Sequence, residues 1–152
     1  MHEREPQPLG HMIVYCGHLS KLCTDQRLRR AGYDVTPAQS QAMLYLSCCR
    51  AGQEVSQRDL EQELHLKPST VNGIVGRLEE KGYIARRTSP FDGRIRLVGL
   101  TDAGRSKVAD FRTALEETGD LFTAGLTGEE ERLLRTLLTR IISNLENEVN
   151  SV

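Results

Sequence analysis

Residues 67–94 read KPSTVNGIVGRLEEKGYIARRTSPFDGR, and this stretch decides the fold. Its first half predicts a short helix, because Pro68 suits a first helical position and Gly82 is a typical helix stop. Apolar residues recur at the i, i+3, i+4, i+7 spacing that gathers them on one buried face of a helix. These residues are Val71, Ile74, Val75 and Leu78.

The opposite face of this helix carries small, hydrogen-bonding or cationic residues, where a solvated helix would normally carry Glu, Lys, Gln and Ala. A glycine inside a helix costs about 1 kcal/mol relative to alanine, so two glycines there need an offsetting gain. Close approach of a bulky partner would supply it, and so would tight packing of another helix of the same domain. The helix alone does not choose between these interpretations. Its outer residues are Ser69, Thr70, Asn72, Gly73, Gly76 and Arg77.

Two short strands are predicted after this helix, at Tyr83–Arg87 and Arg94–Leu100, because both are rich in β-branched, aromatic and arginine residues. Turn-forming residues, Ser-Pro-Phe-Asp-Gly, separate them at positions 89–93. Before the helix, Ser56 predicts the cap of a shorter helix that runs to about Leu64. Two short helices joined by a tight turn form a helix-turn-helix, and a β-hairpin directly after it is a wing.

Longer helices are predicted on both sides of this unit. One runs from Leu9 to about Arg30, one follows a capping box at Thr36, and two more follow Thr101 and Thr127. The fold class is therefore mainly α with a small β-wing, in the order α-α-α-α-β-β-α-α. The fifth and sixth helices carry wide apolar stripes, which are Val108, Phe111, Leu115 and Phe122, then Leu133, Leu134, Leu137, Leu138, Ile141, Ile142 and Leu145.

The first helix and the last two have more apolar surface than one small lobe needs. Helices from a second copy of the chain would cover it, so these helices predict a dimer. An ordinary monomeric helical bundle is the alternative.

Positive charge is concentrated in the middle of the chain. Residues 56–107 contain 10 Lys and Arg against 7 Asp and Glu, a net charge of +3, whereas the rest contains 10 against 14. This local excess is the electrostatic footprint expected of a phosphate-binding surface, although the whole chain carries only −1. No apolar run approaches the roughly 20 residues that span a bilayer, and the first residues do not read as a secretory signal. We expect a cytoplasmic protein with no membrane partner.

Four cysteines are present, and we expect all of them to be reduced because none forms a Cys-x-x-Cys pair. Cys16 and Cys23 fall on one apolar face of the first helix, with Met12 and Leu19, which predicts inert packing. Of the adjacent Cys48 and Cys49, one must face partly outward. A cysteine-based redox sensor is therefore an alternative function.

The sequence predicts neither a metal site nor a cofactor. His11, Cys16 and His18 lie near one another, but spacings of five and two do not stack ligands on one helix face as i, i+4 does. We predict that the protein is not an enzyme, because it has no glycine-rich phosphate loop, no nucleophile elbow and no paired carboxylates in a recognisable context.

Three motifs follow in order: LEEKGYIAR at residues 78–86, SPFDGR at 89–94 and LTDAG at 100–104. In this element order they resemble the MarR family of bacterial transcriptional regulators, over roughly residues 10–149. The family pattern has a leucine, charged residues, glycine, two apolar residues and arginine, then Asp-Pro-x-Asp-Arg-Arg, then Leu-Thr-x-x-Gly. The chain departs from it at Ser89, which replaces the first aspartate. It departs again at Gly93, which replaces the first wing arginine and removes one cation from the wing tip.

The resemblance implies a homodimer with N- and C-terminal dimerisation helices, at residues 1–34 and 102–152, and a winged helix-turn-helix DNA-binding lobe at 35–101. Members bind pseudo-palindromic operators in double-stranded DNA, usually as repressors, and many respond to small aromatic or lipophilic ligands. A winged-helix dimer that binds another protein is the alternative.

DNA contacts are predicted from the outer face of the helix and from the wing. Arg86, Arg87 and Arg96 could contact the DNA backbone or pair internally with acids. Candidate liners of a ligand cleft, all of which could equally be core residues, are Tyr15, His18 and Tyr45. The predicted DNA-binding residues are Ser69, Thr70, Asn72, Gly73, Arg77, Arg86, Asp92 and Arg94.

Overall fold

The computed structural model describes residues 7–50 and 53–151 and contains helices with one small sheet. The chain forms two compact units, the first ending at Glu116 and the second beginning at Glu117. In chain order the elements are α1 (Leu9–Arg30), α2 (Pro37–Cys48), β1 (Val55–Ser56), α3 (Gln57–Leu64), α4 (Pro68–Glu80), β2 (Ile84–Thr88), β3 (Arg96–Leu100), α5 (Asp102–Thr123) and α6 (Gly128–Asn150). The predicted fold class is confirmed. The boundaries predicted at residues 34/35 and 101/102 concern assembly and stay predictions.

The sheet has one strand more than the sequence predicts. Its order is β1-β3-β2, and both pairings are antiparallel. The additional strand, β1, has two residues, and Val55 lies opposite Val98 while Ser56 lies opposite Leu97. Two residues are too few to show the alternation that marks a strand in a sequence. This strand fixes the start of α3 against the wing, because Ser56 also caps that helix.

Capping boxes start α2, α3 and α6, as predicted. The Ser56 hydroxyl accepts a hydrogen bond from the Asp59 N–H at 3.2 Å, and the Asp59 carboxylate accepts one from the Ser56 N–H at 2.7 Å. Thr36 with Gln39 and Thr127 with Glu130 form the same reciprocal pair. Each such cap stabilises its helix by about 0.5–2 kcal/mol, so the helix starts are encoded locally.

The core of the first unit lies beneath α4. The predicted stripe of this helix is fully confirmed, since all four of its apolar residues are buried. A buried Leu, Ile or Val side chain contributes about 1.5–3 kcal/mol relative to an exposed one, so this stripe fixes which face of α4 points outward. Other buried residues of the same core include Met43, Leu60, Ile84, Val98, Leu100, Val108 and Phe111.

The end of α4 is tied to the neighbouring segments. Gly82 has φ +74°, and the Tyr83 N–H bonds back to the Leu78 carbonyl at 2.9 Å, which closes the helix as predicted. The Tyr83 hydroxyl donates to the Asp34 carboxylate at 3.1 Å. Lys81 Nζ lies 3.9 Å from the same carboxylate, so the loop before α2 holds the C-terminal end of α4.

The outer helices are far less buried than their stripes would allow. In α1 Leu28 is the buried residue, while Met12, Cys16 and Leu19 are exposed and Cys23 is half-buried. The prediction that Cys16 packs inertly is therefore wrong for a single subunit, because no element of the described chain covers that face.

The stripes of α5 and α6 behave differently. In α5, Val108 and Phe111 are buried, Leu115 is half-buried and Phe122 is exposed, so the predicted stripe packs only in its first half. No residue of α6 is buried. The sequence predicts more apolar helix surface than one lobe can bury. In the single chain, that surface faces solvent.

Candidate nucleic-acid interface

The outer face of α4 is open to solvent, as the predicted buried stripe requires. Ser69, Thr70, Asn72, Gly73 and Arg77 are all exposed. A β-carbon built on Gly73 would meet no heavy atom within 4 Å. Close packing of another helix of the same domain is therefore the wrong explanation for Gly73, and close approach of an external partner stays a prediction.

The second glycine of α4 has a neighbour inside the subunit. A β-carbon on Gly76 would lie 3.2 Å from Nη2 of Arg86, a tighter approach than side chains normally make. Arg86 lies on β2 and folds back over α4. Its Nη1 donates to the Asn72 side-chain oxygen at 3.1 Å, and its Nη2 donates to the Asn72 main-chain carbonyl at 3.4 Å.

An acid completes the surroundings of Arg86. Its Nε lies 3.2 Å from Oε2 of Glu79, close enough for an ion pair but off the line that a hydrogen bond requires. This is the internal pairing that the sequence left open for Arg86. The guanidinium therefore faces α4, and a DNA contact by Arg86 stays a prediction.

The other two candidate arginines of the strands differ from each other. Arg87 Nη2 lies 2.9 Å from Oε1 of Glu54, so this arginine is paired with an acid. Arg96 Nη1 donates to the neutral Thr88 hydroxyl at 2.7 Å and keeps its charge uncompensated by that contact. Of the two, Arg96 is the one with charge to offer to a phosphate.

The wing tip is held by a set of short hydrogen bonds. The Asp92 carboxylate accepts from the Arg94 main-chain N–H at 2.9 Å, so Asp92 shapes the turn that carries Arg94, and a DNA contact by Asp92 stays a prediction. The Ser89 hydroxyl accepts from the Phe91 N–H at 3.2 Å, and the Ser89 N–H bonds to the Ile95 carbonyl at 3.0 Å. Arg94 itself is exposed, and its guanidinium has no hydrogen-bond or ion-pair partner among the described residues.

A cleft of about 560 Å³ lies between the start of α3, the outer face of α4 and the wing. Four arginines and no acidic residue line this cleft, which favours a positive electrostatic potential there. Arg58, two residues after the Ser56 cap, also lines this cleft, although it is not among the DNA-binding residues predicted from the sequence. A cation in the first turn of the helix before α4 was the feature of the sequence that could have indicated this role. The lining residues are Ser56, Gln57, Arg58, Asn72, Arg86, Arg94, Ile95 and Arg96.

Comparison with known proteins gives consistent matches. The model of the MarR family matches residues 33–95. The HTH-type transcriptional regulator YdgJ of Bacillus subtilis is 36% identical over 94 residues, which cover 62% of this chain and 57% of that relative. The crystal structure of an S. aureus MepR–DNA complex superposes with a TM-score of 0.84 at 25% identity, covering 91% of this chain and 99% of that one. A probable transcriptional regulator from Pseudomonas aeruginosa superposes with a TM-score of 0.76 at 27% identity, over 89% and 97% of the two chains.

Residues 33–95 match the MarR family, and the fold is similar to that of MarR-type winged-helix regulators.

The matched proteins are transcriptional regulators, which confirms the prediction that the chain is not an enzyme. The two departures in the wing are also informative. Ser89 takes over a turn-forming function for which aspartate is suited, because a serine hydroxyl can accept a main-chain hydrogen bond two residues on. A β-carbon on Gly93 would meet nothing within 4 Å, so no crowding explains why this chain lacks a side chain there.

Of the three candidate ligand residues, Tyr45 lines a cavity of the described part of the chain. This cavity, of about 460 Å³, is also lined by Leu44, Cys48 and Leu64, at the contact between α2 and α3. Burial raises the pKa of the Tyr45 hydroxyl. Tyr15 and His18 lie on the exposed surface of α1 and line none of that cavity. A ligand role for the three residues stays a prediction.

The cysteines of α2 divide as predicted, with one facing outward. Cys48 is exposed, whereas Cys49 is half-buried and its thiol donates to the Tyr45 carbonyl at 3.3 Å. Burial raises the pKa of the Cys49 thiol, and the neighbouring Cys48 raises it further. A raised pKa lowers the thiolate fraction, which opposes a sensor role for Cys49.

Across residues 7–50 and 53–151, no group of three or more His, Cys, Asp or Glu side chains could hold a metal ion. Within the same described part, no helix is both long enough and apolar enough to cross a bilayer.

Proposed function

We propose that this chain is a homodimeric, sequence-specific repressor that binds a pseudo-palindromic operator in double-stranded DNA and is released by a small aromatic or lipophilic ligand. One observation carries the DNA-binding part. The exposed polar face of α4, with open space at Gly73, lies beside a wing whose tip presents Arg94. MepR, a structural neighbour at 25% identity, was crystallised with DNA, which supports the same function here.

The major groove is the site that suits α4. A groove about 12 Å wide admits a helix, and its base edges offer a distinct pattern of hydrogen-bond donors and acceptors. Ser69 and Thr70 stand in the first turn, where the N-cap Lys67 makes no side-chain cap. Pro68 has no N–H and the Thr70 N–H already bonds to the Lys67 carbonyl at 2.9 Å, so the Ser69 N–H is the main-chain donor of this turn that suits a phosphate. Asn72 and Arg77 then face the bases or the phosphates further along the helix.

The wing suits the adjacent minor groove. Arg94 is exposed at the tip and is free of any acid partner among the described side chains. Narrow minor grooves of A·T-rich sequence concentrate negative potential and attract an inserted arginine. Arg58 and Arg96 add positive charge to the cleft between α4 and the wing, where they suit the DNA backbone.

A second copy of the chain is the proposed partner for the exposed apolar stripes of α1 and α6. The stripe of α6 and the apolar face of α1 are exposed in one subunit. Contiguous exposed apolar surface of this kind marks an interaction site in a soluble protein. A two-fold dimer would place two copies of α4 on successive half-sites, spaced by about 10–10.5 bp or a multiple of it.

The resemblance to the MarR family and the cavity beside Tyr45 support repression and ligand release. An apolar cavity with a few polar groups is the usual form of a small-molecule site, and this one contacts both α2 and α3. A ligand there would bias the position of the helices that support α4. The proposed cellular compartment is the cytoplasm, where an operator would be reached.

A gel-shift titration tests the proposal. The full chain is mixed with the DNA upstream of its own gene and with a shuffled duplex of the same composition, at several salt concentrations. Binding of the upstream DNA with clear preference over the shuffled duplex supports the proposal. Equal weak binding to both duplexes, or no binding, contradicts sequence-specific recognition and favours the protein-binding alternative.

A further inference from the structure

The side-chain amide of Asn72 has its orientation decided by Arg86. A guanidinium has five N–H donors and no acceptor, so the atom that faces Nη1 at 3.1 Å must be the amide oxygen. The two amide N–H groups then point away from Arg86. Asn72 is exposed on the face of α4 that we assign to DNA, so it presents donors to the groove.

Two further features hold Arg86 in this position. Glu79 lies about two turns after Asn72 on α4 and pairs with Nε of Arg86, while its carboxylate also accepts from the Arg86 main-chain N–H at 3.4 Å. Gly76 leaves the space that the guanidinium fills, since a β-carbon there would stand 3.2 Å from Nη2. The side chain of Arg86 is only 26% exposed. We call Glu79, Arg86 and Asn72 the α4 clamp.

An asparagine whose amide oxygen is already engaged, and whose amide nitrogen faces the groove, discriminates between purines. Guanine presents two neighbouring acceptors, N7 and O6, in the major groove, whereas adenine presents the N7 acceptor beside an N6 donor. The bidentate contact of asparagine with adenine uses both the amide oxygen and the amide nitrogen. In the α4 clamp the oxygen is engaged by a cation, so the adenine contact is disfavoured.

We propose, on the basis of the proposed DNA-binding function, that Arg86 is a positioning residue that sets the base preference of Asn72. By holding the Asn72 amide oxygen, it turns the amide nitrogen toward the groove and favours guanine over adenine at one position of each half-site. Arg86 thus acts through Asn72 and not as a phosphate contact.

The test is a comparison of base preference among variants of the full chain. Wild type, Asn72→Ala, Arg86→Met and Arg87→Met are each used to select from a pool of duplexes with randomised half-sites, and selected sites are then titrated at several salt concentrations. Arg87→Met is the matched control. It removes an arginine from the same strand, but Arg87 pairs with Glu54 and not with a residue of α4. Circular dichroism establishes that each variant is folded.

The clamp predicts a specific pattern. Wild type prefers guanine at one position, Asn72→Ala loses that preference, and Arg86→Met reduces it by at least about fivefold at the same position only. Arg87→Met leaves it unchanged. Gly76→Ala, which crowds the guanidinium without removing it, reduces the same preference and serves as the second variant if Arg86→Met does not fold.

Other results overturn the inference. If Arg86→Met weakens all duplexes alike and lowers the salt slope by about one, Arg86 is a phosphate contact. If wild type prefers adenine at the position that Asn72→Ala affects, the amide is not held as described. If wild type binds no duplex selectively, the proposed function fails and the clamp fails with it, whereas the first two results leave DNA binding intact.

Discussion

A β-carbon on Gly104 would overlap the main-chain carbonyl oxygen of Tyr83. The first turn of α5 therefore lies directly on the segment that joins α4 to the wing. Thr101 reinforces this junction, because its N–H bonds to the same Tyr83 carbonyl at 3.0 Å and its hydroxyl donates to the Gly82 carbonyl at 2.6 Å. The helix that faces DNA in our proposal and the hairpin that follows it are thus braced by the start of α5.

Replacing Gly104 with alanine should destabilise the protein. The added methyl group would meet backbone atoms that cannot move aside, and overpacking of this kind costs about 1–3 kcal/mol. The measurement is chemical unfolding followed by circular dichroism. Gly119→Ala, where a β-carbon would meet nothing within 4 Å, is the matched control. Equal stability of Gly104→Ala and wild type would show that this junction is looser than described.

Replacing Gly73 with alanine should separate stability from binding. The site is inside α4 and open, so alanine should raise the free energy of unfolding by up to about 1 kcal/mol. The same methyl group would stand between α4 and the floor of a groove, so operator affinity should fall. Unfolding and fluorescence anisotropy measure the two effects. A variant that is more stable and binds as tightly as wild type would remove Gly73 from the interface.

Replacing Arg94 with alanine should weaken binding to every duplex and flatten the salt dependence. Removing one cation that neutralises DNA charge lowers the log–log salt slope by about one. Gel-shift titrations at four or more salt concentrations give the slope. Arg87→Ala is the control, because Arg87 is paired with Glu54 at 2.9 Å. An unchanged slope for Arg94→Ala would place this residue outside the DNA contact.

Glu130 should make the start of α6 sensitive to acid. Hydrogen bonds from the Thr127 N–H and hydroxyl lower the pKa of the Glu130 carboxyl below its ordinary value of 4.5. Its stabilising contribution is therefore complete above that ordinary pKa and is lost as the pH falls through the lower folded pKa. Thermal unfolding of Glu130→Gln and wild type between pH 3 and 6 should show the difference between them shrinking toward low pH.

Glu129 provides the comparison for this experiment, since it lies in the same turn but is not part of the capping box. Glu129→Gln should follow the pH dependence of wild type more closely than Glu130→Gln does. If both variants change the pH dependence equally, the effect comes from the helix dipole and not from the cap.

The two neighbouring cysteines should react at different rates. Burial raises the pKa of the Cys49 thiol, so less of it is thiolate near neutral pH, whereas Cys48 is exposed. Mild alkylation followed by mass spectrometry should find Cys48 modified first, with Cys49 slower. Equal modification of both residues in the folded protein would reopen the redox-sensing alternative.

The features that the sequence predicts well are those that depend on neighbours along the chain. The buried stripe of α4 and the capping boxes at Thr36, Ser56 and Thr127 need only periodicity and short-range hydrogen bonds. The burial of an outer helix is different, because it depends on what packs against it. Cys16 shares an apolar face with its neighbours but has no covering element in the described chain.

The contact between Arg86 and Asn72 could not be read from the sequence for a related reason. The two residues are 14 positions apart, and they meet only because the hairpin folds back across α4. A glycine inside a helix, such as Gly76, indicates that another group packs closely there. It does not indicate that the group is the Arg86 guanidinium. The two-residue strand β1 and the position of Arg58 in the cleft likewise depend on pairing and packing between distant segments.

The turn bonds around Ser89 and Asp92 bear on the entropy of complex formation. They order the backbone of the wing tip when the protein folds, before any nucleic acid is present. Ordering one backbone residue costs about 1–2 kcal/mol, and a loop that had to be fixed during association would lose that much affinity per residue. A preorganised tip spares the complex this loss, so a single arginine there can contribute more of its electrostatic attraction as net affinity.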